Sequence, residues 1–300
     1  MKNKHKKINF FDPQINVKKK LVNEKFQYLP GTKIPLPSEV EISESGTCNR
    51  KCSFCPRSDP NYFDIKEFIK TALHDKLHKE LAELNFSGTV RYSGFVEPLL
   101  DKNIYNLLKR ARAINKRVNL EMVTNGDVLN PTRLIKLFNS GLNRLFISVY
   151  DGLKDVEKFK KMRSKTRLSK SQVVIRDRSL SSAKDFGLTI SNRAGMLENA
   201  EYSIMPLKKK MQHPCYYPSY TFFMDYNGDV LMCAHDWGKK RILGNLKEKS
   251  FLEIWTSQLA KISRKKLNNG DRGFSPCNVC DVHGTLIGAK HSKAWNEILS

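Results

Sequence analysis

The spacing of apolar side chains predicts strands that alternate with helices along most of the chain. Glu39 to Ser43 alternates polar and apolar residues, as a half-buried strand does. From Asp64 to Leu84 the apolar residues recur with a helical period, which predicts a helix next. The further predicted strands are 89–93, 118–124, 144–150, 172–176 and 188–191, and the further predicted helices are 103–115, 131–139, 156–162 and 181–186.

This alternation predicts the fold class. Strands that alternate with helices pair in parallel through right-handed crossovers. About six such units between residue 39 and about residue 195 predict an α/β fold, a partial (β/α)6 barrel related to the TIM barrel. In such barrels the functional residues collect at the carboxyl ends of the strands.

Composition along the chain predicts three parts. Residues 1–37 are polar, basic and interrupted by four prolines, so they are expected to form an extended N-terminal arm. Residues 38–205 hold the barrel, and residues 206–300 form a small cysteine-rich domain. Within this domain Asn227 and Gly228 predict a hairpin turn between apolar strands at 222–223 and 230–231.

The charge is strongly basic. The chain has 53 Lys and Arg against 30 Asp and Glu, a net charge of +23 and a pI near 9.7. This favours an anionic partner, such as a phosphorylated or nucleotide-linked substrate, nucleic acid or an acidic carrier protein; the alternative is a lysine-rich solvated surface. The lysine runs have few interleaved aromatic residues, so nucleic acid is disfavoured.

Neither a signal peptide nor a membrane span is expected. The basic start of the chain is not followed by an apolar stretch, and nowhere do eighteen apolar residues follow one another. The seven cysteines are clustered as metal ligands are, rather than spread as in a disulfide scaffold. We therefore expect a cytoplasmic protein.

Three thiols lie within eight residues at Cys48, Cys52 and Cys55. A single loop with this spacing can direct all three sulfur atoms at one centre. A structural zinc ion takes four protein ligands and a common iron-sulfur cubane takes four thiolates, so three leave one position open for another molecule. The alternative is a zinc site that takes a distant fourth ligand.

The motif CxxxCxxC with the aromatic Phe54 before its last cysteine resembles the signature of the radical S-adenosylmethionine (SAM) enzymes. The resemblance implies that Cys48, Cys52 and Cys55 hold a 4Fe-4S cluster that binds SAM. It further implies reductive cleavage of SAM to a 5′-deoxyadenosyl radical, which abstracts a hydrogen atom from the substrate. A flavodoxin or ferredoxin-type protein would supply the electron.

The resemblance extends to residues after later strands. The stretch 92–98, Tyr-Ser-Gly-Phe-Val-Glu-Pro, resembles the family's Gly-Gly-Glu-Pro, with Gly94 allowing close backbone approach and Glu97 placed to pair with the SAM ammonium group. The Thr-Asn-Gly turn at 124–126 is similar to family turns along the SAM pocket. The further candidate contacts to SAM are Asn125, Ser148 and Asn192, with Arg193 for the SAM carboxylate.

The second cysteine set comprises Cys215, Cys233, Cys277 and Cys280. Its spacing is similar to the start of the SPASM domain of many radical SAM enzymes, but Leu286 stands where the next cysteine would fall. Four thiolates complete one auxiliary 4Fe-4S cluster, so the shorter single-cluster "twitch" arrangement is expected. A four-cysteine zinc site has the same ligand count and is the alternative.

These features predict a radical SAM oxidoreductase. Relatives with one auxiliary cluster act on sugars, aminocyclitols and similar small hydroxylated substrates. All seven cysteines are assigned as ligands, so no thiol is free to return a hydrogen atom, and dehydrogenation is expected. The alternatives are a radical SAM epimerase, a peptide- or RNA-modifying enzyme and, in another class, a zinc protein that binds nucleic acid.

Overall fold

The computed structural model describes residues 13–179, 191–200 and 204–299. The strands are β1 (Glu39–Ser43), β2 (Ser45–Gly46), β3 (Ile65–Phe68), β4 (Thr89–Tyr92), β5 (Asn119–Thr124), β6 (Arg144–Val149), β7 (Val173–Asp177), β8 (Thr221–Asp225), β9 (Asp229–Leu231) and β10 (Ile242–Asn245). The helices are α1 (Pro13–Glu24), α2 (Thr71–Glu83), α3 (Ile104–Ile114), α4 (Pro131–Asn139), α5 (Leu153–Ser164), α6 (Tyr217–Tyr220), α7 (Phe251–Trp255), α8 (Gln258–Asn268) and α9 (Ala289–Leu299). The predicted helix 181–186 and residues 188–190 of the predicted strand lie outside the described residues.

The main sheet has eight strands in the order β10-β9-β8-β1-β4-β5-β6-β7. From β8 to β7 all neighbouring strands are parallel, and helices α2 to α5 lie on the connections that lead from β1 through β4, β5 and β6 to β7. The described strands form an open arc. The prediction of an α/β fold with a partial barrel is confirmed.

Strand residues alternate between the two faces of this arc, and the helices cover the outer face, to which the apolar strand residues point. Val40 and Ile42 of β1 are fully buried and belong to the same apolar cluster as Leu73 and Leu77 of α2. The inner face carries charged side chains together with the rings of Phe146 and Phe223. The charged side chains of Glu41, Arg91, Glu121 and Arg144 stand in register across four neighbouring parallel strands.

The predicted helix over 64–84 is wrong in its first part. Residues Ile65–Phe68 form strand β3, which pairs antiparallel with β2, and helix α2 begins only at Thr71. Ile65 is 41% exposed and Phe68 is 39% exposed. Their spacing matched the helical period although neither side chain belongs to the core.

The N-terminal arm is also not extended throughout, because Pro13–Glu24 is the helix α1. Lys18 Nζ lies 3.0 Å from Glu39 Oε1 at the first residue of β1. Val22 packs with Tyr220 and Ile287. Helix α1 therefore covers the amino end of the barrel strands.

The predicted hairpin is confirmed as β8 and β9, which pair antiparallel. Gly228 has φ of +93°, a left-handed conformation that glycine adopts without strain. The other side of β8 pairs in parallel with β1, with Phe223 opposite Glu41. The cysteine-rich part of the chain thus shares a sheet with the barrel, a contact that the sequence pattern did not indicate.

Candidate functional site

The three-thiol loop leaves the carboxyl end of β1 and tightens at its second half. The Cys55 amide donates to the Cys52 carbonyl over 2.9 Å, and a short 3₁₀ turn begins at Pro56. All three thiols are partly buried. Burial raises the pKa of the Cys52 thiol to about 11, with further contributions from Cys55 and Cys48. Three thiols on one loop are a donor set that a cluster requires, and they bind iron as thiolates.

Arg50 fixes this loop to the ends of two neighbouring strands. It bonds to Asp127, after β5, through Nε at 2.7 Å, and to Asp151, after β6, through Nη1 at 3.0 Å. Its Nη2 lies 2.5 Å from an oxygen of each aspartate. Because Arg50 is paired with Asp127 on one side and Asp151 on the other, its guanidinium group is fixed in orientation, and the cysteine loop is attached to the barrel. Sequence reasoning missed Arg50, because nothing in the motif shows which aspartates face it.

Arg57 anchors the other end of the loop. It is 2% exposed, and its guanidinium donates to the carbonyls of Phe95 and Gly46 and pairs with Asp64. The Phe95 carbonyl belongs to the loop after β4. Arg57 therefore connects the cysteine loop to the stretch that contains Glu97. The only available sequence signal was a basic residue two positions after Cys55.

Glu97 is 1% exposed and joins the loops after β4 and β5. Its Oε1 accepts from the Thr124 hydroxyl at 2.6 Å and the Leu99 amide at 3.1 Å, and its Oε2 accepts from the Asn125 amide at 2.7 Å. Burial raises the pKa of Glu97 to about 7, although these hydrogen bonds oppose the shift. The Glu97 amide donates to the Thr47 carbonyl, directly before Cys48. A carboxylate therefore stands beside the thiol loop, and its pairing with SAM stays a prediction.

Asn125 faces the thiol loop as well. Its Nδ2 donates to Asn49 Oδ1 over 2.8 Å and lies 4.0 Å from Cys48 Sγ. Gly126 has φ of +79°, and a Cβ there would come within 2.6 Å of the Phe159 ring. The predicted Thr-Asn-Gly turn thus delivers an amide group to the cluster loop, and its contact with SAM stays a prediction.

The aromatic and serine candidates lie together at the next strand end. The Phe54 ring lies 5.2 Å from the Tyr150 ring. Ser148 is buried and hydrogen-bonds the Tyr150 side chain. Gly94, by contrast, meets protein rather than open space: with φ of +105°, a Cβ there would lie 3.0 Å from Phe223 and 3.2 Å from Ser43. Contacts of these residues with SAM stay predictions.

Asn192 and Arg193 connect the barrel to the second cysteine set. The Asn192 amide nitrogen lies 3.0 Å from both carboxylate oxygens of Asp281, and its Nδ2 donates to the Val279 carbonyl over 2.6 Å. The Arg193 guanidinium is close enough to lower the pKa of the Cys55 thiol, which burial raises. Its Nε is buried without a hydrogen-bond partner in the described structure. The contacts of Asn192 and Arg193 with SAM stay predictions.

The second set of thiols is largely buried. The thiols of Cys215, Cys277 and Cys280 are buried, and that of Cys233 is partly so. Burial raises the pKa of Cys233 well above its usual range, with contributions from each of the other three thiols. The four side chains thus surround one region. Among the described residues no three His, Cys, Asp or Glu are arranged to hold a single metal ion, whereas a cluster spreads its ligands over several irons.

Tyr217 is partly buried near cysteines of the second thiol set and near the first barrel strand. Burial raises the pKa of its hydroxyl, and Cys233, Cys215, Glu39 and Glu41 add to the shift.

An α/β barrel that carries one three-thiol loop and one four-thiol group has the form of a cluster-dependent enzyme. Residues 42–199 match the radical SAM superfamily, and residues 215–281 match the SPASM iron-sulfur cluster-binding domain. The chain belongs to the radical SAM superfamily. The predicted class of enzyme, an oxidoreductase with SAM and 4Fe-4S clusters as cofactors, is confirmed.

Two individual proteins to which the chain is similar are S-adenosylmethionine-dependent 2-deoxy-scyllo-inosamine dehydrogenase and GTP 3′,8-cyclase. The chain is 30% identical over 246 residues to the S-adenosyl-L-methionine-dependent 2-deoxy-scyllo-inosamine dehydrogenase of Niallia circulans, over 81% of this chain and 92% of that protein. It is 31% identical over 126 residues to the GTP 3′,8-cyclase of Helicobacter pylori (strain ATCC 700392 / 26695), over 38% of this chain and 35% of the cyclase.

Solved structures show the same fold. The crystal structure of BtrN in complex with AdoMet and 2-DOIA aligns with a TM-score of 0.71 and 27% identity, over 86% of this chain and 98% of BtrN. The native anSMEcpe with bound AdoMet shares the fold at a TM-score of 0.51 and 14% identity, over 86% of this chain and 96% of that one. No described helix has the length and apolar character needed to cross a membrane.

Proposed function

We propose that this protein is a radical SAM dehydrogenase that oxidises a carbinol of a small polyhydroxylated substrate, an aminocyclitol or a related sugar, to a ketone. The observation that carries the proposal is the gathering of all four later cysteines around one region beside the barrel. Together with the three-thiol loop they use every cysteine of the chain. No thiol then remains to return a hydrogen atom, as the common donor of an epimerase does; Tyr216 or Tyr217, next to Cys215, would be the less usual donor in that alternative.

In this proposal Cys48, Cys52 and Cys55 hold the SAM cluster, and the other four cysteines hold the auxiliary cluster. Phe54, Gly94, Asn125, Ser148 and Asn192 would line the SAM site, Glu97 would bind its ammonium group and Arg193 its carboxylate. The contacts of Glu97 and Asn125 support this most strongly, because both reach the thiol loop. Gly94 has the weakest support, since its neighbours are Phe223 and Ser43.

When bound, SAM with its cluster supplies hydrogen-atom abstraction, and the auxiliary cluster supplies a one-electron acceptor. The substrate carbon loses a hydrogen atom, and the hydroxyl proton and one further electron then leave to give the ketone. We assign the proton to Glu41, on the inner face of β1. Burial raises the pKa of Glu41, with a contribution from Glu39, so its carboxylate accepts a proton readily. The Ser93 hydroxyl donates to Glu41 Oε1 over 2.6 Å and holds it in place.

The same carboxylate would bind an ammonium group on the substrate, which suits an aminocyclitol. This agrees with the name of the Niallia circulans relative, 2-deoxy-scyllo-inosamine dehydrogenase. Arg91 and Arg144 lie on the same face and would hold phosphate on a phosphorylated or nucleotide-linked substrate. Both arginines already pair with Glu121, so the unmodified aminocyclitol is the preferred substrate.

We also propose a cytoplasmic location and an acidic flavodoxin or ferredoxin as electron donor. Seven free cysteines that serve as cluster ligands need a reducing compartment. A nucleic-acid substrate is not proposed, because the lysine runs of the sequence have few interleaved aromatic residues for stacking bases.

The test is anaerobic turnover of the reconstituted protein with 2-deoxy-scyllo-inosamine and a panel of amino sugars in deuterated solvent. We expect one ketone and one 5′-deoxyadenosine per turnover. A Glu41→Gln variant should still cleave SAM but form much less ketone, about 100-fold less if Glu41 is the base. An epimeric product that carries solvent deuterium at the reacting carbon would overturn the dehydrogenase proposal. SAM cleavage without any product would leave the radical chemistry intact and reject this substrate class.

A further inference from the structure

Two surface depressions adjoin each other beside the three-thiol loop. The first is a cleft of about 470 Å³ lined by residues 50–54, 150–152 and 178–179, and it includes Cys52. The second begins two residues further along the chain, at Lys154, and is lined by seven residues of α5, five of which are Lys or Arg. Together they make one face on which a cluster ligand is accessible from outside.

The charge of this face is positive after its internal ion pairs are counted. Its carboxylates are paired: Asp151 with Arg50 at 2.5 Å, Asp155 with Lys158 at 3.9 Å and Glu157 with Lys160 at 2.7 Å. Lys154 and Lys161 have no carboxylate within ion-pair distance in the described part of the chain. They lie seven residues apart on α5, so both project from the same side of the helix.

In the chain, an exposed apolar residue lies between the segments that line the two depressions. Leu153, the first residue of α5, is 65% exposed. Lys51, inside the three-thiol loop itself, is exposed on the other side. An apolar contact surrounded by lysines is the composition expected of a surface that docks an acidic protein for a short time.

We propose that this face, defined by Lys51, Leu153, Lys154, Lys158 and Lys161, docks an acidic one-electron carrier protein with a flavin or iron-sulfur centre. The inference rests on the proposed function, in which a cluster at Cys48, Cys52 and Cys55 takes one electron from outside for each SAM cleaved. The carrier is oxidised by one electron and the cluster is reduced by one. Docking here brings the carrier against the loop that holds Cys52, so no transfer through the barrel is needed.

Nucleic acid is the other polyanion that lysines attract. The face offers it no free aromatic platform, because the Phe54 and Tyr150 rings pack on each other at 5.2 Å and Arg50 lies 5.6 Å from the Tyr150 ring centre. A folded acidic protein therefore fits better than a single strand.

The test compares the double variant Lys154→Glu, Lys161→Glu with the matched control Lys109→Glu, Lys116→Glu. The two control lysines are also exposed and also seven residues apart. Lys109 lies within α3, another helix of the outer layer, and Lys116 lies two residues beyond its end. Both variants change the net charge equally. Each reconstituted protein is titrated with a recombinant acidic flavodoxin by calorimetry, and its SAM cleavage is driven either by reduced flavodoxin or by dithionite.

We expect the α5 variant to bind flavodoxin at least tenfold more weakly at low salt and to lose its salt dependence, as removal of an electrostatic docking site requires. Flavodoxin-driven cleavage should fall with it, while dithionite-driven cleavage stays at the wild-type rate. Equal binding by wild type and α5 variant, or an equal loss in the control, would overturn the proposal. The proposal would also be overturned if a single-stranded RNA bound the wild type more tightly than flavodoxin does and the Lys154→Glu, Lys161→Glu variant lost that RNA binding. Failure of dithionite-driven cleavage in the wild type would count against the proposed function, and the calorimetry would still decide the docking site.

Discussion

The Asn125 amide donates a hydrogen bond of 2.7 Å to Glu97 Oε2, so one buried carboxylate joins the loops that follow β4 and β5. Both loops also touch the cysteine loop, Glu97 through the Thr47 carbonyl and Asn125 through Asn49. The group proposed to bind SAM is therefore also part of the frame that positions the thiols. Variants at Glu97 must be interpreted with both roles in mind.

Glu97→Gln should weaken SAM binding at least tenfold while the iron content stays that of the wild type. Glutamine keeps the shape of the side chain but removes the negative charge that would pair with the ammonium group. Its amide cannot accept hydrogen bonds at both ends, so we also expect about 1–2 kcal/mol of lost stability. Equilibrium binding of SAM and thermal unfolding measure the two effects separately. SAM affinity equal to that of the wild type would remove Glu97 from the site.

The pH dependence of SAM binding should follow the same carboxyl group. Its pKa is raised to about 7, so below this pH it is increasingly neutral in the SAM-free protein. A neutral carboxyl group does not attract an ammonium group, so SAM affinity should decrease as pH falls through about 7. The bound cation favours the ionised form, which lowers the midpoint in the complex. Binding measured from pH 8 to pH 6 should show this decrease, and the Glu97→Gln variant should lack it.

The two clusters should be separable by mutation. Full reconstitution should give about eight irons per chain, and the change of Cys48, Cys52 and Cys55 to Ala should lower this to about four. Iron analysis and visible absorbance after anaerobic reconstitution are the measurements. Loss of all iron in the triple variant would mean that the second thiol set does not load alone.

Arg50→Lys should make the SAM cluster more labile. Lysine keeps the charge but cannot pair with Asp127 and Asp151 at the same time in one plane. Because the Arg50 side chain is 21% exposed, we expect about 1 kcal/mol or less in global stability. The larger effect should be faster loss of visible absorbance on exposure to a chelator, which the iron in the second thiol set should not share. Wild-type chelation kinetics would contradict a role for this pairing in holding the loop.

The sequence was sufficient for the parts that depend on local spacing. The thiol motif, the alternation of strands with helices and the Asn227-Gly228 turn are all short-range patterns. The turn is in the structure as predicted, and over the described residues so is the alternation, except at 64–70. Contacts between distant residues left no such signal. The Arg50 pairing spans 77 and 101 residues, and the parallel pairing of β8 with β1 joins residues more than 180 positions apart. The helix predicted from residue 64 is wrong at its start because the exposed apolar residues Ile65 and Phe68 fall on a helical period.

Gly284 offers a test of the auxiliary site that leaves the SAM site untouched. Its φ is +75°, and a Cβ at this position would lie 2.3 Å from Cys215 Sγ. The clash is with the buried thiol itself, so Gly284→Ala must displace the Cys215 ligand or the backbone beside it. We expect the variant to retain about four irons, those of the SAM cluster, and to cleave SAM with dithionite without forming the ketone. Gly31→Ala is the matched control, since Gly31 has φ of +74° and no atom within 4 Å of the added Cβ, so it carries the same backbone strain without the clash. Ketone formation by Gly284→Ala at the wild-type rate would show that Cys215 is dispensable for the oxidation, and an equal loss of iron in Gly31→Ala would trace the defect to backbone strain alone.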